Sequence, residues 1–275
     1  MRLIHYFTFF LSPLIITAND NNELYELLTN KSVEKVFLHN KTYYIDYDSI
    51  IIENRNIELI GGNQTIIRPL KERRFNSNTP PSLLTFKNCQ QVCVKNIKFE
   101  GFTNEGYALT FIKNKEYQNG SIQVLKNSTK NIGLISTRSE KGFTFNLYDQ
   151  DFVNWYENGK ISSEECFSKI LVKGNVCRGH DKFQVGKFNG PSSSAISIHF
   201  SDSISIIGNN ISNFRFGIWV FGGGSTTRDK KLLSNNEILS NQVCVKNNTV
   251  RNTYSPIWFS KTRNIFVKKN NCYFN

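Results

Sequence analysis

Four basic residues could remove a proton from an acidic substrate or stabilise the resulting charge. Lys87 and His199 follow short stretches of alternating polarity, and Arg178 and Lys182 belong to the charged turn 178–182. Such bases can take the proton next to a uronate carboxylate while neighbouring cations stabilise the carbanion, which is a β-elimination without a metal. We therefore predict that these four residues are catalytic. A structural histidine and a solvated turn are the alternative, in which the protein binds without cleaving.

A second group of residues could bind a sugar chain. If the short strands alternate, their polar and indole side chains face away from the apolar ones. The predicted binding residues are Thr85, Thr110, Asn146, Trp219, Trp258 and Lys261. Indole faces stack on sugar rings and cations neutralise carboxylates, so the predicted ligand is an acidic polysaccharide or glycan. Alternatively, the two tryptophans are covered by a loop and pack as a second core.

The elements that must position these residues are short strands separated by asparagine-containing turns. The pattern of strand, polar turn, second strand and asparagine recurs, for example at 51–67 and 195–212. The asparagines that follow the second strand are Asn63, Asn96, Asn175, Asn209, Asn248 and Asn271. One coil of three short strands needs about 22 residues, and the interval from Asn248 to Asn271 is 23 residues. Because asparagine tolerates left-handed turns and stacked amides can hydrogen-bond, we predict an all-β parallel β-helix rather than a sandwich.

The segment SAISIHFSDSISIIGNNISNFRFGIWV (194–220) resembles the coil pattern of the pectate-lyase-like superfamily. Residues 23–30, 33–46 and 57–67 are similar to its N-terminal capping helix, first strand pair and first coil. The resemblance implies a single right-handed parallel β-helix with a short capping helix, whose exposed outward strand residues bind polysaccharide. It implies little about the reaction, because lyases, hydrolases, epimerases, tailspikes and adhesins share this architecture.

The chain departs from the signatures of the family's enzymes. Calcium-dependent pectate lyases carry aspartates where this chain has Ser194 and His199. Calcium prefers several carboxylate or carbonyl oxygens, so we predict no metal and no other cofactor. A glycoside hydrolase is a further alternative and needs two carboxyl groups about 5–10 Å apart. The carboxyl groups that could supply this pair are those of Asp149, Asp151, Asp181 and Asp202.

The N-terminal segment has the layout of a secretory signal peptide. One early arginine precedes an apolar run that is shorter than the roughly 20 residues of a membrane span and ends at a small alanine. We predict that residues 1–18 are removed and that residues 19–275 form a secreted or periplasmic β-helix domain. Loop insertions are expected at about 146–165 and 177–194. The sequence leaves the oligomeric state open.

The net charge indicates which classes of partner to expect, and the cysteine content indicates a possible disulfide. The 34 lysines and arginines exceed the 22 aspartates and glutamates, for a net charge of +12, which favours acidic partners. Because the basic residues are scattered, we predict no nucleic-acid partner, and no later segment is apolar enough to span a membrane. The preferred disulfide is Cys166–Cys177, with free cysteines buried in the core as the alternative.

Overall fold

The computed structural model describes residues 16–72, 80–102, 106–113, 120–139, 169–183, 194–222, 240–260 and 262–273. In these ranges the chain forms one short helix and 22 short strands. In chain order they are β1 (Ile16–Ala18), α1 (Asn21–Thr29), β2 (Lys35–Leu38), β3 (Thr42–Ile45), β4 (Ile50–Glu53), β5 (Ile57–Ile60), β6 (Ile66–Pro69), β7 (Ser82–Lys87), β8 (Gln91–Lys95), β9 (Lys98–Glu100), β10 (Tyr107–Lys113), β11 (Ser121–Leu125), β12 (Ser128–Lys130), β13 (Gly133–Ser139), β14 (Lys169–Lys173), β15 (Val176–Arg178), β16 (Ser194–His199), β17 (Ile204–Ile207), β18 (Asn210–Phe221), β19 (Val243–Lys246), β20 (Thr249–Ser260), β21 (Ile265–Lys268) and β22 (Asn271–Tyr273).

The strands wind as a parallel β-helix with three faces. The first face is a nine-stranded sheet in the order β1-β2-β5-β8-β11-β14-β17-β19-β21. The second face contains β3, β6, β9, β12, β15, the beginnings of β18 and β20, and β22. The third face contains β4, β7, β10, β13, β16 and the ends of β18 and β20. Each turn of the chain visits the faces in this order, so the prediction of a parallel β-helix is confirmed.

Alternation within each strand builds the core. In β14, which reads KILVK, Ile170 and Val172 are buried while the lysines at both ends are exposed. The register pairs Ile170 with Ile122 on one side and with Ile204 on the other. Apolar side chains therefore stack in columns from coil to coil, and their burial supplies the main stabilisation of the fold.

An asparagine ladder ties successive coils together at the corner between the first and second faces. Its members are Asn127, Asn175, Asn209, Asn248 and Asn270. In each step the side-chain oxygen of one asparagine accepts the backbone N–H of the asparagine in the preceding coil, at 2.8–2.9 Å. The amide nitrogen of Asn175 also donates to the carbonyl of Val124 at 3.0 Å. The predicted amide stacking is therefore present at Asn175, Asn209 and Asn248.

The other predicted register asparagines, Asn63, Asn96 and Asn271, are not ladder residues. Each corner contains a residue with a left-handed backbone and, directly after it, the ladder residue. The left-handed backbone lies one residue before the ladder, at Lys126 (φ 54°) and Gly174 (φ 69°). Asn96 (φ 59°) is such a corner residue, and the ladder position after it is Ile97, whose N–H donates to Asn127. At the C-terminal end the ladder residue is Asn270 rather than Asn271. Asn63 is not part of the ladder contacts of the described chain.

The helix α1 covers the N-terminal end of the β-helix, as predicted. Asp20 caps it, because its carboxylate accepts the N–H of Glu23 at 2.9 Å. Leu24 and Leu28 are fully buried against the first coil. The guanidinium of Arg55 donates to the carbonyls of Asn30 and Leu27 at the C-terminal end of the helix. A positive charge there also interacts favourably with the negative end of the helix dipole.

The end of the predicted leader is part of the fold in this structure. Residues 16–18 form β1, which pairs with β2, and the Tyr43 hydroxyl donates to the carbonyl of Ala18 at 2.6 Å. Cleavage directly after Ala18 would remove this strand and that acceptor. Residues 1–15 lie outside the described part of the chain. No helix in that part is both long and apolar enough to cross a bilayer.

The prediction of a Cys166–Cys177 disulfide is wrong for Cys177, which forms no disulfide. Cys166 lies outside the described residues. Cys177 is a free cysteine, fully buried in the core, and its thiol lies between Thr129 and Ile211 of the adjacent coils in register. Burial raises the pKa of this thiol to about 12. The thiol is therefore unreactive and serves packing.

Candidate functional site

Four of the six side chains expected to bind a sugar chain, those of Thr85, Thr110, Trp219 and Trp258, lie in one column on the third face, but most are not accessible. The column consists of Thr85, Thr110, Ser136, Ser197, Trp219 and Trp258. Its register follows the predicted alternation, since Ile196 and Ile198 point into the core. The predicted exposure of this face is wrong: Trp219 is 4% exposed and only Trp258, at 38%, reaches solvent appreciably.

The reason is a second, aromatic core on the outside of the third face. The Trp219 ring lies 5.4 Å from Phe216 and 6.1 Å from Trp258, measured between centroids. Two further rings close the other side, since His199 lies 5.1 Å from Trp219 and 5.4 Å from Phe221. Indoles that face aromatic neighbours on both sides bury their apolar surface within the protein, which was the alternative considered for them. Trp219 is thus not available to stack on a sugar.

His199 is part of a buried hydrogen-bonded group rather than an exposed base. Its Nε2 lies 2.6 Å from the hydroxyl of Ser197, and its backbone N–H donates to the hydroxyl of the buried Thr137 at 2.8 Å. A hydroxyl next to an imidazole is an arrangement used in nucleophilic catalysis. However, Ser197 is 0% and His199 1% exposed, so no polysaccharide reaches the pair. Burial, and secondarily the charge of Arg138, lowers the pKa of His199 from 6.5 to about 3.

The lowered pKa of His199 predicts acid sensitivity. As the pH falls below 6.5, the unfolded chain binds a proton at this imidazole that the folded chain accepts only near its pKa of about 3. The free energy of unfolding should therefore fall as the pH drops through this window, by up to ~1.4 kcal/mol per pH unit. Urea unfolding of wild type and His199→Gln between pH 7 and 4 measures it. An identical pH slope in the two proteins would contradict the buried neutral imidazole.

Lys87 lies on the same face but far from His199. Its strand β7 is separated from β16 by β10 and β13, so the two side chains are about 14 Å apart at 4.8 Å per strand. Lys87 pairs in register with Glu53 of β4 and forms an ion pair with it at 3.6 Å. Two bases at this separation cannot act on the same substrate carbon, so Lys87 and His199 do not form one catalytic site.

The second face carries a column of cations. Lys130 of β12 pairs in register with Arg178 of β15, and Arg178 pairs with Ser212 of β18, which pairs with Arg251 of β20. All three cationic side chains are exposed. They stand about one strand spacing apart, or two where serine intervenes. This cationic column, Lys130–Arg178–Ser212–Arg251, is the largest departure from the predicted site, which grouped Arg178 with His199 as catalytic residues.

A groove of about 490 Å³ opens over the N-terminal part of the cationic column. Its lining residues are Lys98, Ser128, Thr129, Lys130, Val176, Arg178, Gly179 and Asp181. Glu100 neutralises the cations at one end of the groove, since its carboxylate lies 2.7 Å from Lys98 and 3.7 Å from Arg68. Among the described residues, no acidic side chain lies within ion-pair distance of Lys130 or Arg178. The groove therefore presents two accessible positive charges on adjacent coils.

The charged turn that follows β15 forms one wall of this groove. Asp181 is among the lining residues, and the backbone N–H of Lys182 donates to Nδ1 of His180 at 3.0 Å. Of the four predicted catalytic residues, the structure thus brings Arg178 and Lys182 to one turn and leaves Lys87 and His199 on the third face. Asn146, Lys261, Asp149 and Asp151 lie outside the described residues.

Sequence reasoning missed Lys98, Lys130 and Arg251, although the chain contains a signal for two of them. Lys130, Arg178 and Arg251 each stand three residues after a ladder asparagine, namely Asn127, Asn175 and Asn248. The ladder fixes the corner, and the third residue beyond it then points outward on the second face. The described residues contain no group of three or more His, Cys, Asp or Glu side chains that could hold a metal ion.

Comparison with known proteins identifies no family for this chain. No family model matches the sequence, and neither does any curated protein. A solved structure described as a mannuronic acid specific polysaccharide family 6 lyase enzyme from human gut microbiota is similar at 11% identity and a TM-score of 0.31. The alignment covers 95% of this chain and 82% of that chain. At this level of similarity, the description of the fold rests on the strand pairings of this chain itself.

Proposed function

We propose that this protein binds an acidic polysaccharide along its second face, in the groove at Lys130 and Arg178. The observation that supports the proposal is the register of the cationic column, which places Lys130 and Arg178 on adjacent coils and Arg251 two coils further on. A small anion would need only one such position. A polymer with a carboxylate on each sugar can engage several positions at once, and each further contact adds to the affinity.

The chemistry of the groove suits a carboxylated sugar chain. The guanidinium of Arg178 can bind a carboxylate through two parallel hydrogen bonds, and the Lys130 ammonium adds a second charge about 4.8 Å away. Ser128 supplies a hydroxyl and Val176 an apolar patch on the groove floor, which suit the hydroxyl and C–H surfaces of a sugar ring. Asp181 on the wall and Glu100 at the end limit the positive charge, which favours chains with one carboxylate per sugar over more densely charged ones.

Charge reversal within the groove tests this proposal. The double variant Lys130→Glu/Arg178→Glu should bind polygalacturonate or alginate at least tenfold more weakly, because two favourable charge contacts become repulsive. Both side chains are exposed, so the fold should persist. The matched control is Lys126→Glu/Lys173→Glu, which makes the same charge change at exposed lysines away from the groove.

Binding is measured by calorimetric titration at low and at physiological salt concentration. We expect wild type and control to bind alike, and their affinity to fall with salt more steeply than that of the groove variant. Equal losses in groove variant and control would mean that net charge, not this groove, attracts the polymer. Tighter binding to a nucleic acid than to any polyuronate would overturn the substrate class.

Catalysis by β-elimination is a separate step that the same groove could serve through Arg178, Lys182 or His180. The absorbance of unsaturated product in the presence of polygalacturonate, alginate or a glycosaminoglycan measures it. We expect binding without product, because the predicted bases Lys87 and His199 are remote from the groove or buried. Product formation that Arg178→Ala abolishes would establish a lyase in place of a binding protein.

A further inference from the structure

The exposed apolar residues of this protein are concentrated at the two ends of the β-helix. In the described chain, ten large hydrophobic side chains are exposed, and they fall into two groups by sequence position. The head group is Tyr25, Tyr44, Ile51 and Leu70, and the tail group is Tyr254, Trp258, Ile265, Phe266, Val267 and Tyr273. Clustered apolar surface of this kind is typical of an interaction site.

The tail surface is an uncovered continuation of the core. Ile265 and Val267 of β21 pair in register with Val243 and Val245 of β19. The two valines of β19 are 1% and 0% exposed, whereas Ile265 is 42% and Val267 49% exposed. Within the described residues, β21 pairs with a strand on one side alone. The tail thus offers inward-facing apolar side chains and free strand edges, which solenoid proteins usually cover.

The head and the tail carry opposite charge. Residues 16–60, which form α1 and the first coil, contain eight acidic and four basic side chains. Residues 240–273, which form the last coils, contain six basic side chains and no acidic one. A tail-to-tail contact would bring the exposed Lys268 and Lys269 of two copies together, and like charges disfavour it. A tail placed on the head of another copy pairs opposite charges instead.

We propose that copies of this protein associate head to tail, with the basic apolar tail of one copy on the acidic head of the next. The head presents Tyr25 and Glu26 on the outer surface of α1, both exposed, while Leu24 and Leu28 hold the helix to its own coil. The contact is heterologous, so it repeats and produces a linear stack of copies. It does not depend on glycan binding, because the second-face groove lies at Lys130 and Arg178, between the two ends.

Complementary charge reversal tests this association in the full-length protein. The tail variant is Lys268→Glu/Lys269→Glu and the head variant is Glu26→Lys/Asp46→Lys, and all four residues are exposed. Sedimentation velocity at low salt should show concentration-dependent association of the wild type. Each variant alone should associate at least tenfold more weakly, and an equimolar mixture of the two should recover the association. The control Lys126→Glu/Lys173→Glu, with the charge change of the tail variant, should behave as wild type.

Recovery in the mixture is the decisive result, since in each variant alone the substituted side chains face like charges across the contact. A folding defect of either variant would not produce recovery, and a loss of net charge would not either. A wild type that stays monomeric at low salt up to high concentration would overturn the proposal. The proposal would also be overturned if wild type associates with the tail variant while the head substitutions leave association unchanged, because that pattern indicates a tail-to-tail contact.

Discussion

Replacing Asn175 by alanine should lower the free energy of unfolding by about 2–5 kcal/mol. Asn175 is 1% exposed, and its side-chain oxygen accepts the backbone N–H of Asn127 at 2.8 Å. Its amide nitrogen donates to the Val124 carbonyl at 3.0 Å and to the Asn209 side chain at 2.9 Å. The alanine variant leaves at least two buried polar groups without these partners, and each such group costs about 1–3 kcal/mol.

Urea unfolding followed by circular dichroism measures this effect. The control is Asn241→Ala, which removes an asparagine pair on the surface, where Asn264 donates to Asn241 at 2.9 Å. Because water can replace that partner, the control should lose less than about 1 kcal/mol. Equal losses in the two variants would show that the ladder adds nothing beyond an ordinary surface hydrogen bond.

Replacing Trp219 by alanine should lower stability by about 3–5 kcal/mol and leave the affinity for acidic polysaccharide unchanged. The indole is 4% exposed and stacks on Trp258 at 6.1 Å while contacting Phe216 and His199. Removing a buried indole loses its transfer free energy and opens a cavity. The unchanged affinity follows because the cationic column lies on another face.

The matched substitution Tyr254→Ala removes an aromatic ring that is 60% exposed near the same end of the β-helix. It should lower stability by less than about 1 kcal/mol. Urea unfolding and calorimetric titration with polygalacturonate measure both quantities in the two variants. A folded Trp219→Ala protein that binds polygalacturonate tenfold more weakly would contradict our account, because the third face would then contain the binding site.

The sequence predicted the fold because the coil repeats its local rules. Alternation in segments such as KILVK (169–173) assigns the inward side chains correctly, and Asn175, Asn209 and Asn248 mark the same corner in successive coils. The assignment of Asn96 failed for a physical reason. Asparagine is favoured both in the left-handed corner residue and in the ladder residue that follows, so its presence alone does not distinguish these two positions.

The alternation of polar and apolar residues in a strand does not show whether its outward side chains are exposed to solvent. Period two indicates that Ser197, His199 and Trp219 point away from the core, and the structure places them there. Whether they meet solvent depends on rings of neighbouring coils that pack over them, since Trp258 contacts both Phe216 and Trp219. Such packing joins residues of different coils, so a local pattern does not reveal it.

The cationic column on the second face had a readable signal. Lysine or arginine stands three residues after the ladder asparagine in Asn127-Ser-Thr-Lys130, Asn175-Val-Cys-Arg178 and Asn248-Thr-Val-Arg251. Recognising it requires Asn127 as a ladder residue, and the sequence analysis did not assign Asn127 to the register; Asn96 lies one coil earlier, where the ladder position is Ile97. The missing position at Asn127 left Lys130 unrecognised, even though the architecture was predicted correctly.

A crystal structure of the protein with an acidic tetrasaccharide, such as tetragalacturonate, tests the central claim most directly. We predict that the sugar occupies the second-face groove with carboxylates within hydrogen-bond distance of Lys130 and Arg178. Such a complex would also show whether Asp181 on the groove wall contacts a hydroxyl of the sugar. Sugar density on the third face, over the column from Thr85 to Trp258, with an empty second-face groove, would contradict the account.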